Sequence, residues 1–142
     1  MVELVRVVLA EFGLQFGTGA STDEQLFALP KSYQEHGGRF WVAERAGAVV
    51  GTCGLFPVDP SVFEVRKMYL LPAVRSLGVG RRLLDEAVAF ARQQRARQLV
   101  LDTTEQMVRA IKFYEANGFV RDDAQKRGAR CSRGYLRKLS AN

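Results

Sequence analysis

The segment Arg75-Ser76-Leu77-Gly78-Val79-Gly80 holds the residues of this chain best suited to chemistry. It follows an alternating, strand-like run and opens an amphipathic, helix-like one. Glycines let a backbone come close to a ligand, and the first N–H groups of a following helix have no intrahelical acceptor and carry the positive end of the macrodipole. A pyrophosphate fits such a turn. Gly-x-Gly alone reads equally well as a turn without a ligand, so the surroundings must decide. A dinucleotide fingerprint wants a glycine three residues after Gly80, where Leu83 stands, and a nucleoside-triphosphate loop wants Gly-Lys-Ser/Thr, which the chain lacks. Both nucleotide readings lose ground.

The elements around the loop follow from hydrophobic period. Leu4, Val8, Leu9 and Phe12 lie on one face of a predicted helix from Val2 to about Phe16. Gly17 to Asp23 breaks that pattern and Pro30 interrupts the next stretch, so this part reads as loop plus a short helix. From Arg39 to Glu44 and from Val49 to Phe56 the pattern is that of a hairpin turning at Gly47, with Pro57 and Pro60 ending its second strand. Val62 to Leu71 reads as a third strand, stopped by Pro72. After the glycine loop, Leu83, Leu84, Ala87, Val88 and Ala91 recur at helical spacing. Gln98 to Leu101 is a short apolar strand, and Thr103 with Gln106 matches a capping box for the next helix. That helix carries Met107, Ala110, Ile111 and Tyr114 on one face and stops near Gly118, a left-handed cap. Strands near Phe119 to Asp122 and Cys131 to Leu139 close the chain. The order predicts an α/β domain with a mixed sheet.

Composition bounds the rest. The 142 residues, 47% hydrophobic and 25% charged, suit one domain spanning 1–142 with its own core. No apolar run approaches the roughly 18 to 20 residues that cross a bilayer, and the start lacks the signature of a secretory signal, so a soluble cytoplasmic protein is expected. Cys53 and Cys131 lack metal-ligand spacing and read as free thiols. A net charge of +6 suits nucleic acid or an anionic cofactor, but its basic residues are scattered, which favours the cofactor. His36, the only histidine, lies in a turn-like Glu35-His36-Gly37-Gly38 and reads as a surface residue.

Four features in order, Met68-Tyr69-Leu70 with Pro72, Arg75-x-x-Gly78-x-Gly80, the helix opening near Gly80, and Phe113-Tyr114-Glu115-Ala116-Asn117-Gly118-Phe119, resemble the GNAT superfamily of acyl-CoA-dependent N-acetyltransferases over residues 39 to 120. The resemblance implies a mostly antiparallel central sheet flanked by helices. It implies that Met68, Tyr69 and Leu70 lie along the pantetheine arm of acetyl-CoA, mainly through backbone groups. It implies further that the N–H groups of Leu77, Gly78, Val79 and Gly80, in the loop holding Ser76, hold the pyrophosphate, with Arg75 and Arg81 adding charge. Solvated surface positions are the alternative for both arginines. Tyr114 aligns with the family tyrosine that protonates or hydrogen-bonds the CoA sulfur; read from spacing alone it is a core aromatic. Glu64 occupies the strand where several members carry a glutamate that accepts the amine proton, against the alternative of a solvated partner for Arg66 or Arg39. Strand alternation places Glu64 with Arg66, Met68 and Leu70, opposite Phe63, Val65 and Tyr69.

Two departures stand out. Met107 occupies the position where many members carry an asparagine, and the sheet is expected to lack the family's usual first strand, since the helix-like pattern begins at Val2. A homodimer is one way to cover the edge so exposed. The expected function is transfer of an acetyl group from acetyl-CoA, with no metal, to a primary amine of a small molecule, amino acid or peptide by direct ternary-complex transfer. A noncatalytic acyl-CoA-binding module on the same fold is the alternative, and nucleic acid and membrane are not expected partners. The resemblance implies an acceptor site built by residues of about 9 to 33 and by the last strand pair, where no motif names a substrate.

Overall fold

The computed structural model describes residues 31–126 and 131–139, with Leu4 and Leu29; the predicted first helix, the predicted loop after it and the question of a missing first strand lie outside the described residues. The chain order is a short helix α1 (Lys31–Gln34), strands β1 (Arg39–Arg45), β2 (Ala48–Asp59) and β3 (Val62–Leu70), helix α2 (Val79–Gln93), strand β4 (Gln98–Thr103), helix α3 (Val108–Ala116), and strands β5 (Val120–Arg121) and β6 (Arg133–Lys138). Among the described residues the sheet has six strands in the order β1-β2-β3-β4-β6-β5, and only the β3–β4 pair is parallel. The expected mixed, mostly antiparallel sheet is what forms.

Local chemistry explains the connections. Ala46 and Gly47 both have positive φ, 51° and 81°, the geometry of a two-residue turn whose twist matches that of the hairpin strands β1 and β2. Between β2 and β3, the Asp59 carboxylate accepts from the Ser61 N–H at 2.8 Å and the Ser61 hydroxyl at 3.1 Å, a side-chain-built turn. Pro57 does not end β2 as predicted; the strand runs to Asp59. Beyond Leu55 it has β3 alone as a partner, so a missing N–H on the other side costs no ladder bond.

Both long helices pack on one face of the sheet. Leu83, Leu84, Ala87, Val88 and Ala91 of α2, the predicted stripe, bury against Cys53, Leu55, Phe63, Val65 and Leu99, and the same cluster takes in Ile111 and Tyr114 of α3. Leu84 is fully buried. Leu84→Ala should therefore cost about 2–5 kcal/mol, read as a lowered Tm in thermal unfolding. At the end of α3 the Phe119 N–H reaches back to the Tyr114 carbonyl at 3.1 Å, with Gly118 at φ 88°, which is the left-handed cap expected there. The predicted capping box does not form. Strand β4 runs on to Thr103, which pairs with Arg133, so Thr103 is spent on the sheet; its hydroxyl lies 3.6 Å from the Met107 sulfur, and Met107 precedes α3 without a side-chain cap.

Candidate active site

The sheet splits at its centre. β3 and β4 pair at Val62↔Gln98, Phe63↔Leu99 and Glu64↔Val100 and no further. β3 continues beside β2 to Leu70, while β4 follows β6 to Thr103. From Val65 to Leu70 one edge of β3 therefore faces a gap inside the sheet, and an extended ligand can complete such an edge by backbone hydrogen bonds.

A bulge shapes this edge. Thr52 pairs with Tyr69 but Gly54 with Arg66, so Cys53 faces two residues, and Lys67 takes a left-handed φ of 53°. The Thr52 hydroxyl donates to the Lys67 carbonyl at 2.6 Å and fixes the kink. An inserted residue reverses strand parity. The alternation expected from sequence is thus corrected: Met68 and Leu70 pack on the helix side with Phe63 and Val65, while Glu64, Arg66 and Tyr69 take the other face.

The glycine loop closes one end of the gap. Ser76 and Gly78 hold positive φ, 70° and 83°, and the first intrahelical bond runs from the Arg82 N–H to the Gly78 carbonyl. The N–H groups of Gly78, Val79, Gly80 and Arg81 have no backbone acceptor among the described residues, and α2 lacks a side-chain cap. Four donors at a helix N-terminus form an anion cradle. The Leu77 N–H differs from expectation, because it donates to the Val74 carbonyl at 3.3 Å. The two glycines also divide their work in an unforeseen way. A Cβ on Gly78 would meet nothing within 4 Å, so that glycine answers to its φ; a Cβ on Gly80 would lie 3.1 Å from Leu70 Cδ1 and 3.7 Å from Met68 Cε and Phe113 Cε1. Gly80 is where the helix start presses against the split edge.

Between loop, edge and α3 lies a cleft of about 270 Å³. Of the residues expected from sequence, Met68, Tyr69, Leu70, Arg75, Ser76, Gly80 and Tyr114 line it. Arg75 is folded over the edge, its Nε donating to the Leu70 carbonyl at 3.1 Å. Leu77, Gly78, Val79 and Arg81 are outside the lining: Leu77 is exposed, and the exposed Arg81 side chain pairs with Asp85 at 3.2 Å. Arg109, missed by sequence reasoning, also lines the cleft and reaches across it from α3, Nη2 standing 3.4 Å from the Ser76 hydroxyl. Its signal was present, since Arg109 sits one turn before Phe113 at the start of the tyrosine helix.

Tyr114 forms part of the opposite wall, 6% exposed and edge-on to Phe113 and Phe119 at 5.7 and 5.6 Å. Burial raises its phenol well above the ordinary value, so it stays protonated. Burial likewise pushes the Cys53 thiol up to about 12, which leaves it an inert core residue. Glu64 does not line the cleft; it sits where the split begins, buried and ion-paired with Arg66. The Arg66 guanidinium lies 4.1 Å from the centre of the Phe56 ring, beside Tyr33, whose buried phenol is pushed up to about 12. The carboxylate is therefore neither solvated nor free to swing.

Known proteins are similar to this chain in sequence and fold. The sequence profile of the acetyltransferase (GNAT) family matches residues 5–119. The uncharacterized N-acetyltransferase YjgM of Escherichia coli is 36% identical over 123 residues, which are 84% of this chain and 74% of the relative. A GNAT-family acetyltransferase from Staphylococcus aureus Mu50 superposes with a TM-score of 0.87 at 25% identity, covering 98% of this chain and 91% of the other. YncA from Salmonella typhimurium, solved with its cofactor acetyl-CoA, superposes with a TM-score of 0.73 at 18% identity over 99% of this chain and 86% of its own. The match over most of the chain, together with a split sheet and a glycine loop at one cleft, makes this chain a member of the GNAT acetyltransferase family.

Proposed function

We propose that the chain transfers the acetyl group of acetyl-CoA to a primary amine, of a small molecule, amino acid or peptide, by direct transfer within a ternary complex. The observation that carries this reading is the meeting of three features at one cleft: the start of α2, which reaches the lining at Gly80 and carries four N–H groups without a backbone acceptor among the described residues, a β3 edge from which β4 has parted, and a buried phenol. Acetyl-CoA supplies the activated thioester. The N–H groups of Gly78 to Arg81 hold its pyrophosphate, and Arg75 and Arg109 add charge from either lip. The Met68 to Leu70 backbone guides its extended arm. Tyr114 provides the proton that the departing sulfur needs, and Glu64, held by Arg66, receives the amine proton directly or through water from the other face of the sheet. YncA's complex with acetyl-CoA and the description of the E. coli relative as an N-acetyltransferase support the choice of donor and reaction.

One observation favours a second reading. Glu64 is tied to Arg66 away from the cleft lining, as suits a noncatalytic acyl-CoA-binding module that does without a base. Thiol release from acetyl-CoA over a panel of free amino acids, diamines and a short peptide separates the two. The enzyme reading expects release with at least one amine, and background rates with all of them contradict it. Arg109→Gln should weaken acetyl-CoA binding about fivefold and flatten its salt dependence, measured by calorimetry at two salt concentrations, with kcat little changed.

A further inference from the structure

Helix α3 carries Tyr114 and is closed at its end by the left-handed cap at Gly118, but its start is weakly held. It has nine residues, no side-chain cap at its start, no acidic residue in its first turn and no basic residue in its last. A helix this short is marginal without tertiary support. Glu115 makes matters worse, because a carboxylate in the last turn faces the negative end of the macrodipole.

A chain of polar contacts offsets that cost. The Tyr135 hydroxyl of β6 donates to Glu115 Oε2 at 2.9 Å. Arg133, two residues back on the same strand, donates from Nη1 to the Tyr135 oxygen at 3.2 Å and from Nε to Glu105 Oε1 at 2.8 Å. Glu105 lies in the segment between β4 and α3, and its own N–H donates to the Ser132 hydroxyl at 2.9 Å. The run from Glu105 through Arg133 and Tyr135 to Glu115 thus straps both ends of α3 to one strand. That strand pairs along the whole of β4, the neighbour that parts from β3 to open the cleft. The phenol ring of Tyr135 is fully buried and belongs to the core cluster that holds Tyr114.

We propose that Tyr135 is a positioning residue for acyl transfer, acting through Glu115 to set the rotation of α3 about its axis and so the place of the Tyr114 hydroxyl. Successive residues on a helix are about 100° apart, so fixing Glu115 leaves Tyr114 no freedom to swing around the axis. The proposal rests on the reading of Tyr114 as the group at the departing sulfur.

The test compares Tyr135→Phe, Glu115→Ala, Tyr114→Phe and the Tyr114→Phe/Tyr135→Phe double variant, using thiol release from acetyl-CoA with the acceptor that the amine panel identifies. Tyr135→Phe keeps the core ring, and Glu115→Ala changes an exposed residue, so the same link is broken in two independent ways. Each should lower kcat about tenfold while the acetyl-CoA Kd stays within about twofold. The double variant should turn over within about twofold of Tyr114→Phe alone, because a device that acts through the hydroxyl has nothing left to position. A role confined to stability would give no such non-additivity. Parental turnover in Tyr135→Phe and Glu115→Ala, or losses that multiply in the double variant, overturns the proposal. Parental turnover in Tyr114→Phe overturns instead the reading on which it rests.

Discussion

Gly80→Val should weaken acetyl-CoA binding about a hundredfold, equivalent to ~2.7 kcal/mol, in a chain that still folds. The first added atom would lie 3.1 Å from Leu70 Cδ1, and valine's two methyl groups extend beyond it toward Met68 and Phe113. Either Leu70 gives way into the cleft or the first turn of α2 backs off, carrying with it the N–H groups of Gly78 to Arg81. Both outcomes damage the cradle or the channel that leads from it. The informative control is Gly78→Ala, where the added carbon meets nothing and the cost is backbone strain at φ 83°, about 1 kcal/mol of stability. Calorimetric titration of both variants should show a large loss for Gly80→Val and a small one for Gly78→Ala. Parental affinity in Gly80→Val would contradict the placement of the ligand against this turn.

Tyr114→Phe should lower kcat about a hundredfold with the acetyl-CoA Kd unchanged within about twofold, the mark of a group needed in the transition state and not for ground-state binding. Phenylalanine keeps the packing against Phe113 and Phe119 and deletes only the hydroxyl. The pH dependence follows from burial. Desolvation disfavours the phenolate, so the proton-donating form persists above the ordinary phenol value of about 10, and an alkaline fall in kcat below that pH belongs to some other group. A kcat–pH profile in the parent whose alkaline limb vanishes in Tyr114→Phe would contradict that assignment, as would parental turnover in the variant.

Much of this site was legible because its signals are local. The glycine loop, the stripe of α2 and the Tyr114 face of α3 each follow from a period or a turn requirement written in consecutive residues, and Gly118 takes the left-handed φ expected of it. The features that escaped depend on contacts between segments. The bulge at Lys67 places a non-glycine residue at positive φ, which no propensity suggests; the Thr52 hydroxyl, 15 residues earlier, supports it. That one insertion turned Met68 and Leu70 to the helix side and left Glu64 with Arg66 and Tyr69. Thr103 looked like a cap because its neighbours suited one, but pairing with Arg133 claimed it for the sheet. Arg109 stands one turn before Phe113 on the tyrosine helix, but its place in the cleft depends on the loop around Ser76 being brought against α3.

In the proposed function the split between β3 and β4, closed by the glycine loop, receives acetyl-CoA. Calorimetric titration of the purified chain with acetyl-CoA tests it most directly, with ATP and a short DNA duplex as controls at the same salt. Saturable, one-to-one binding of acetyl-CoA in the micromolar range, much tighter than that of either control, is the predicted result. No acetyl-CoA binding, or equal affinity for all three, would contradict the account, leaving the chain with the family's fold and a cleft for something else.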